Sequence, residues 1–432
     1  MEHKPYVIDP TGRDLPGESA HLHSLGPAVL VELPGGIRAW AVTHHAVLRQ
    51  LLMDPRVSND PRQHWQPWID GEYRDLWIRN WIGVANMTTA HGPDHQRLRK
   101  LVAPAFTARR INALAPRVEQ ITNDLLDALS TGRHSEVVDL RAAFAYALPV
   151  QVICVLFGIP DKTRSAMVRL VSRVVNTTIS PEEAGATNAE IHTILSDLVA
   201  LKRRQPGEDV TSVLVHAYDE DSGGRLSEAE LLDTLRLCIS AGYETTGHLI
   251  VNVIRTLLTH PAALELVRTG AVAWQNVIEE TLRWAPPVAN VPLRFAAEDI
   301  AIPGGPTIRK GEAILPALAA AGRDPLEYGG DAEQFDPRRC PVEHMTFGHG
   351  LHYCLGAPLA RLETRIALAA LFDRFPDMAL AEPPAALKPV ESFIMNGVQA
   401  LPVRLHPGRS ETATRPSLLR RARADHPTGA RP

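Results

Sequence analysis

The feature that most limits how this chain folds is an unbroken helical pattern from Ser227 to Thr259. It opens on Ser227-Glu228-Ala229-Glu230, a capping box, in which serine and the glutamate three residues on satisfy each other's backbone N–H groups. Apolar residues then recur at helical spacing until His260-Pro261 ends the pattern. About 32 residues at about 1.5 Å each make a rod of roughly 48 Å. Such a rod is longer than an ordinary surface helix, so we expect it to run through the molecule. At its middle stands Ala241-Gly242-Tyr243-Glu244-Thr245-Thr246. Glycine weakens a helix, and an acid and hydroxyls compete with its backbone. Either this is a solvated polar stripe, or the residues serve chemistry.

The remaining pattern is mainly helical. Ile111–Ser130 and Ala189–Gln205 read as amphipathic helices. Ala28–Leu33 and Ile37–Val42 flank Pro34-Gly35-Gly36 and read as a hairpin. A second β-rich stretch runs from Pro292 to Leu315. We expect one mainly α domain over residues 1–408. The Arg-rich segment 409–432 differs in composition and reads as a disordered tail.

Of the 432 residues, 45% are hydrophobic, and the formal charge is −4, which gives no reason to expect nucleic acid as a partner. No apolar run reaches the ~18 residues of a membrane span, and the N-terminus carries no signal-peptide pattern. Four scattered cysteines do not make a disulfide framework. The expectation is a cytoplasmic, monomeric protein without a membrane anchor.

Three histidines and Cys354 crowd into His344–Gly356, with Cys340 just upstream. Zinc would find enough donors here, but the spacings do not match the compact zinc modules. The glycines are more informative. Gly348, Gly350 and Gly356 let backbone come close to a flat ligand. An amphipathic helix with Pro358 in its first turn follows Cys354. A thiol near a helix N-terminus is expected to have a lowered pKa, and a thiolate beside glycines suits an axial ligand of haem iron.

Phe347-Gly348-His349-Gly350-Leu351-His352-Tyr353-Cys354-Leu355-Gly356 resembles the haem-binding loop of the cytochrome P450 family. Three further segments match in the expected order. Glu280-Thr281-Leu282-Arg283 resembles the family's Glu-x-x-Arg, and Phe335–Arg339 the segment supplying its partner, Arg339. Ala241–Thr246 resembles the oxygen-binding segment, and His91–Arg99 the helix that holds haem propionates. Two positions depart from the family: His91-Gly92-Pro93 where Asp-Pro-Pro is common, and Gly322 in place of an asparagine.

The resemblance spans residues 7 to 407 and implies the P450 fold, a triangular prism with a small β-rich part. Haem b would lie between the long helix and the helix after Cys354. It implies Cys354 as iron ligand. His95, Arg99, Arg294, His352, Phe347, Gly350, Gly356 and Ala241 would contact haem. Glu244 and Thr245 would supply protons, and Glu280, Arg283 and Arg339 would brace the site. Met87, Ser240, Val291 and Gln399 would face substrate, together with the tryptophan-rich segment holding Trp65, Trp68, Trp77 and Trp81, which packing of a loop would explain equally well. The implied activity is monooxygenation of a mid-sized hydrophobic molecule such as a steroid, macrolide or other secondary metabolite. Electrons would come from NAD(P)H through a separate ferredoxin and ferredoxin reductase, docking on a basic patch of Arg97, Lys100, Arg109 and Arg110. Two other readings stand beside it: oxidative C–C or C–N coupling of aromatic natural products such as cyclic dipeptides, and a non-catalytic haem sensor.

Overall fold

The computed structural model describes residues 4–131, 137–174, 181–219, 224–339 and 341–405. Cys340 and the tail 409–432 lie outside them. The long helix forms as its caps dictate, over Glu228–Thr259. Ser227 accepts from the Glu230 N–H while Glu230 reaches back to the Ser227 N–H. Its central and C-terminal turns are buried almost all round, from Tyr243 to Leu257. The helices Ala147–Leu156, Trp274–Trp284 and Ala357–Arg374 all pack on it. One apolar core joins these helices to Ala115–Ser130 and Pro181–Arg204.

The pattern over Ile111–Ser130 resolves into two helices, Ala108–Ala113 and Ala115–Ser130, which meet at Leu114 just before Pro116. Proline is tolerated in a first turn but not in a helix interior, which places the break there.

The hairpin is observed as expected, Ala28–Leu33 pairing antiparallel with Ile37–Val42. It sits in a six-stranded sheet. Across that sheet the order is Tyr6–Val7, Ala28–Leu33, Ile37–Val42, Ala313–Pro316, Arg294–Ala296 and Val57–Ser58. The β-rich stretch thus joins the hairpin across the chain and places Arg294 at a strand start. A second core cluster lies between this sheet and the tryptophan-rich segment. No single helix is long and apolar enough to cross a membrane among the described residues.

Candidate active site

The cysteine loop is built by its glycines. Gly348 and Gly350 adopt φ of +73° and +68°, a region that costs other residues strain. At Gly350 a Cβ would also come within 3.2 Å of the Leu52 carbonyl oxygen. The resulting turn returns the Cys354 N–H to the Phe347 carbonyl at 2.8 Å. The helix Ala357–Arg374 starts immediately after Gly356. Cys354 is deep in the protein, yet its thiol faces an open cavity and is reachable through it.

Burial pushes the Cys354 thiol up. The Gly356 and Ala357 N–H groups and the charges of Arg99 and Arg361 oppose that without reversing it. This corrects the expectation that the helix start lowers the thiol pKa, because burial outweighs the dipole.

Above the thiol the cavity is roofed by Ala241, Gly242, Thr245 and Thr246 of the long helix. Phe347, Gly356 and Ala360 line the opposite side. At Gly242 a Cβ would sit 2.5 Å from Ile153 Cδ1, so a side chain there would have to push that methyl aside. The Thr245 hydroxyl donates to the Ala241 carbonyl at 2.8 Å and leaves its lone pairs toward the cavity.

One rim of the cavity collects His95, Arg99, Arg294 and His352. Arg294 makes one hydrogen bond, to the Leu293 carbonyl at 3.0 Å, and no ion pair among the described residues. Burial alone draws its pKa down to about 10, so it stays charged. Arg99 donates to the Tyr353 carbonyl at 2.7 Å. Asn59 Nδ2 donates to the Thr88 carbonyl, which fixes the orientation of its amide, and lies 3.2 Å from His352 Nδ1. His352 Nδ1 is thereby the acceptor, and Nε2 carries the proton. Burial, followed by the charges of Arg294, His95 and Arg99, depresses His352 to about 2. The His95 ring lies tilted against it with centroids 3.9 Å apart, and is depressed to about 4 by burial and then Arg99. His95 Nε2 is buried without a partner among the described residues. The rim is therefore two cations without an ion pair among the described residues and two neutral imidazoles.

A second chamber shares Asn59, Thr88, Leu237, Ala241, Thr245, Val288 and Arg294 with the first, so the two are continuous. Met87 lines the first chamber, and Ser240, Val291, Glu244 and Trp81 the second. The Ser240 hydroxyl donates to the Arg236 carbonyl, so it offers substrate only acceptor lone pairs. Gln399 is not brought in. It is exposed and donates to the Pro389 carbonyl, while Met395, four residues earlier, takes the cavity wall. Of the four clustered tryptophans only Trp81 reaches a chamber. Trp65 stacks on Tyr73 and Phe295, Trp77 bonds the Pro34 carbonyl, and Trp68 is buried in the β-rich core.

Glu244 is buried beside Thr245. Its Oε1 accepts from the Tyr146 hydroxyl at 3.1 Å and lies 3.4 Å from His248 Nε2. Burial raises its pKa, but His248, the charge of Arg141 and the Tyr146 bond outweigh that and leave it lowered. Gly397 makes room for His248, since a Cβ there would meet Nδ1 at 2.1 Å. Our sequence reading did not single out Tyr146, His248 or Asn59. The spacing of Glu244 and His248, one helical turn apart, was the signal available for one of them.

Behind the cysteine loop Glu280 and Arg283 are both fully buried. Arg283 donates to both carboxylate oxygens and to the carbonyls of Gly322, Ala332 and Gln334. Arg339 Nε stands 3.4 Å from Glu280 Oε1. The departure at Gly322 has a local meaning: a Cβ would lie 2.1 Å from the Arg283 carbonyl oxygen. His344, one of the zinc candidates, binds Glu279 at 3.0 Å, and Arg361 binds the same carboxylate through two nitrogens. No three histidine, cysteine or acidic side chains converge as a metal site among the described residues. The basic patch also thins, because Arg97 pairs with Glu230 and Lys100 with Asp219. Arg109 and Arg110 remain exposed on a short helix against the cysteine helix.

The family model for cytochrome P450 matches residues 69–270 and 274–390. The chain is 42% identical over 412 residues to 2-hydroxy-5-methyl-1-naphthoate 7-hydroxylase of Streptomyces carzinostaticus, covering 95% of this chain and all of that one. It is 39% identical to 6-deoxyerythronolide B hydroxylase of Saccharopolyspora erythraea, over 89% of this chain and 95% of the other. Among solved structures, CYP154A1 from Streptomyces coelicolor A3(2) superposes with a TM-score of 0.87 at 48% identity, covering 93% of this chain and 100% of that one. Testosterone-bound CYP154C4 from a Streptomyces species gives 0.89 at 42%, over 94% and 99%.

Proposed function

The chain belongs to the cytochrome P450 family, and on that premise we propose that it inserts one oxygen atom of O2 into a C–H bond of a mid-sized, largely apolar natural product. It is a haem-thiolate monooxygenase. The slot fits haem on its own terms: a thiol faces a glycine-lined cavity, and the rim holds two cations and an unpartnered histidine nitrogen where two carboxylates would be met. Cys354 would bind the iron, and Arg99, Arg294, His95 and His352 the propionates. Bound there, haem supplies oxygen activation, which a thiolate ligand favours.

The protein's own part is positioning and proton supply. Thr245 holds a hydroxyl at the roof of the slot through its bond to Ala241. Glu244 stays ionised next to it, tied to Tyr146 and His248, and is the nearby acid–base group that can pass protons from water. The apolar wall of Met87, Leu237, Val288, Val291 and Met395 excludes water from the substrate. The Glu244–Thr245 pair is the observation that carries the oxygen-insertion reading over ring coupling.

Substrate class follows from the relatives' own names, a naphthoate, a macrolide precursor and testosterone, all carbon-rich and polycyclic or macrocyclic. We read residues 1–408 as one such domain, acting as a monomer in the cytoplasm. Electrons would come from NAD(P)H through a ferredoxin and its reductase. Exposed Leu351 and Met53, beside Gly350, with Arg109 and Arg110, would form the docking face. The test is spectroscopic. Reduced, CO-bound protein should show the red-shifted thiolate Soret band, and steroids, macrolides and polycyclic aromatic compounds should be screened for a blue shift on binding. A preparation lacking the thiolate band would overturn the haem reading. A normal band with no ligand shift would overturn the substrate class.

A further inference from the structure

We propose that Arg236 anchors a carboxylate on the substrate in the second chamber, whose lining does not include the cysteine. Arg236 lines that chamber with Asn80, Asn86 and Asp233. Its Nη2 is buried without a hydrogen-bond partner among the described residues. Burial lowers its pKa, with Arg79 adding to that and Asp233 opposing it. A guanidinium so placed remains charged, since its ordinary value lies far above neutrality. Asp233 is the nearest opposite charge, one turn earlier on the same helix. Its Oδ2 instead accepts from the Ala85 backbone N–H at 2.7 Å, and no ion pair with Arg236 is seen among the described residues. Arg236 is partly buried, and a buried guanidinium nitrogen left without a partner on a largely apolar chamber is a receptor for an anion.

The helix sets the spacing. Arg236 precedes Ala241 by five residues and Thr245 by nine, which is roughly 8 to 14 Å of helix axis. The substrate is therefore an apolar acid whose carboxylate lies on the order of 10 Å from the carbon oxidised. That deepens the reading above, which rests on the second chamber being the substrate side of the haem.

The experiment is a Soret titration of the haem-loaded enzyme with decanoic, dodecanoic and tetradecanoic acids, lithocholic acid, and the methyl ester of each. At least one acid should bind about tenfold tighter than its ester, the scale of one charge-assisted bond. Arg236→Gln should abolish that preference, and Asp233→Asn, which keeps the acceptor for Ala85, should enlarge it. Equal affinities for acid and ester, no shift with any acid, or an R236Q enzyme that retains the preference would overturn the assignment. Loss of the CO-bound thiolate band in the same preparations would instead show that the haem site had failed.

Discussion

Replacing Arg283 by lysine keeps a positive charge and removes the fork that carries it. The guanidinium spends all five donors: Nε on Glu280 Oε2 at 2.8 Å, Nη2 on Glu280 Oε1 at 2.7 Å and on the Gln334 carbonyl at 2.9 Å, and Nη1 on Gly322 and Ala332 at 2.7 and 2.8 Å. An ammonium has three donors. Glu280 Oε1 keeps the Asp336 N–H, and Gln334 is exposed, so at least one buried acceptor is left without a partner. At about 1 to 3 kcal/mol for an orphaned buried group, the variant loses about 1 to 3 kcal/mol. That is a sizeable part of a typical folding free energy of about 5 to 15 kcal/mol. The assay is urea unfolding of the haem-loaded proteins, followed in parallel by far-ultraviolet circular dichroism and the Soret band. The two transitions should coincide and move together to lower denaturant, since Arg283 ties the helix Trp274–Trp284 to three carbonyls on the segment leading to the cysteine loop. A loss below about 1 kcal/mol would refute the reasoning, because it would mean that charge alone, without the fork, holds those segments.

Thr245→Ala should leave substrate binding intact and uncouple NAD(P)H consumption from product, with hydrogen peroxide as the measurable excess; unchanged coupling would remove Thr245 from proton supply. Glu279 is held at about 2 because Arg361 and His344 overcome the burial that would raise it. Its folded value lies below the unfolded one, so its contribution is present above about pH 4.5 and is lost as pH falls toward 2. The shift corresponds to about 3 kcal/mol, and Glu279→Gln should flatten that part of the acid-unfolding curve. His248→Phe removes the hydrogen bond that lowers the Glu244 pKa, so the acidic limb of the kcat/KM profile should move to higher pH. A profile that does not move would separate His248 from Glu244.

The parts of this protein written in local rules could be read from the sequence alone. The capping box set the start of the long helix at Ser227, and Pro261 its end. Pro34-Gly35-Gly36 set the hairpin, and positive-φ glycines framed Cys354. Gln399 was misplaced because its strand-like segment alternates: Val398 turns inward and Gln399 outward, and no local signal says which residue faces the cavity. The thiol pKa was misjudged because a helix start is visible in sequence and burial is not. Tyr146, Asn59 and Arg236 escaped notice for a related reason. Each acts on a partner or cavity assembled from distant segments, and no spacing records which side chains end up without a partner.

The rim of the slot also fixes an electrical balance. Arg99 and Arg294 bring two fixed charges, while the tautomer set by Asn59 and the depressed pKa of His95 keep both rings uncharged. Two propionates would cancel the arginines, and one thiolate would cancel the net charge of a ferric porphyrin core. The rim and the iron site together are then neutral. The same rim without its cofactor carries two uncompensated cations, whose mutual repulsion is screened less than in bulk water. Cofactor uptake is in this sense the discharge of that repulsion.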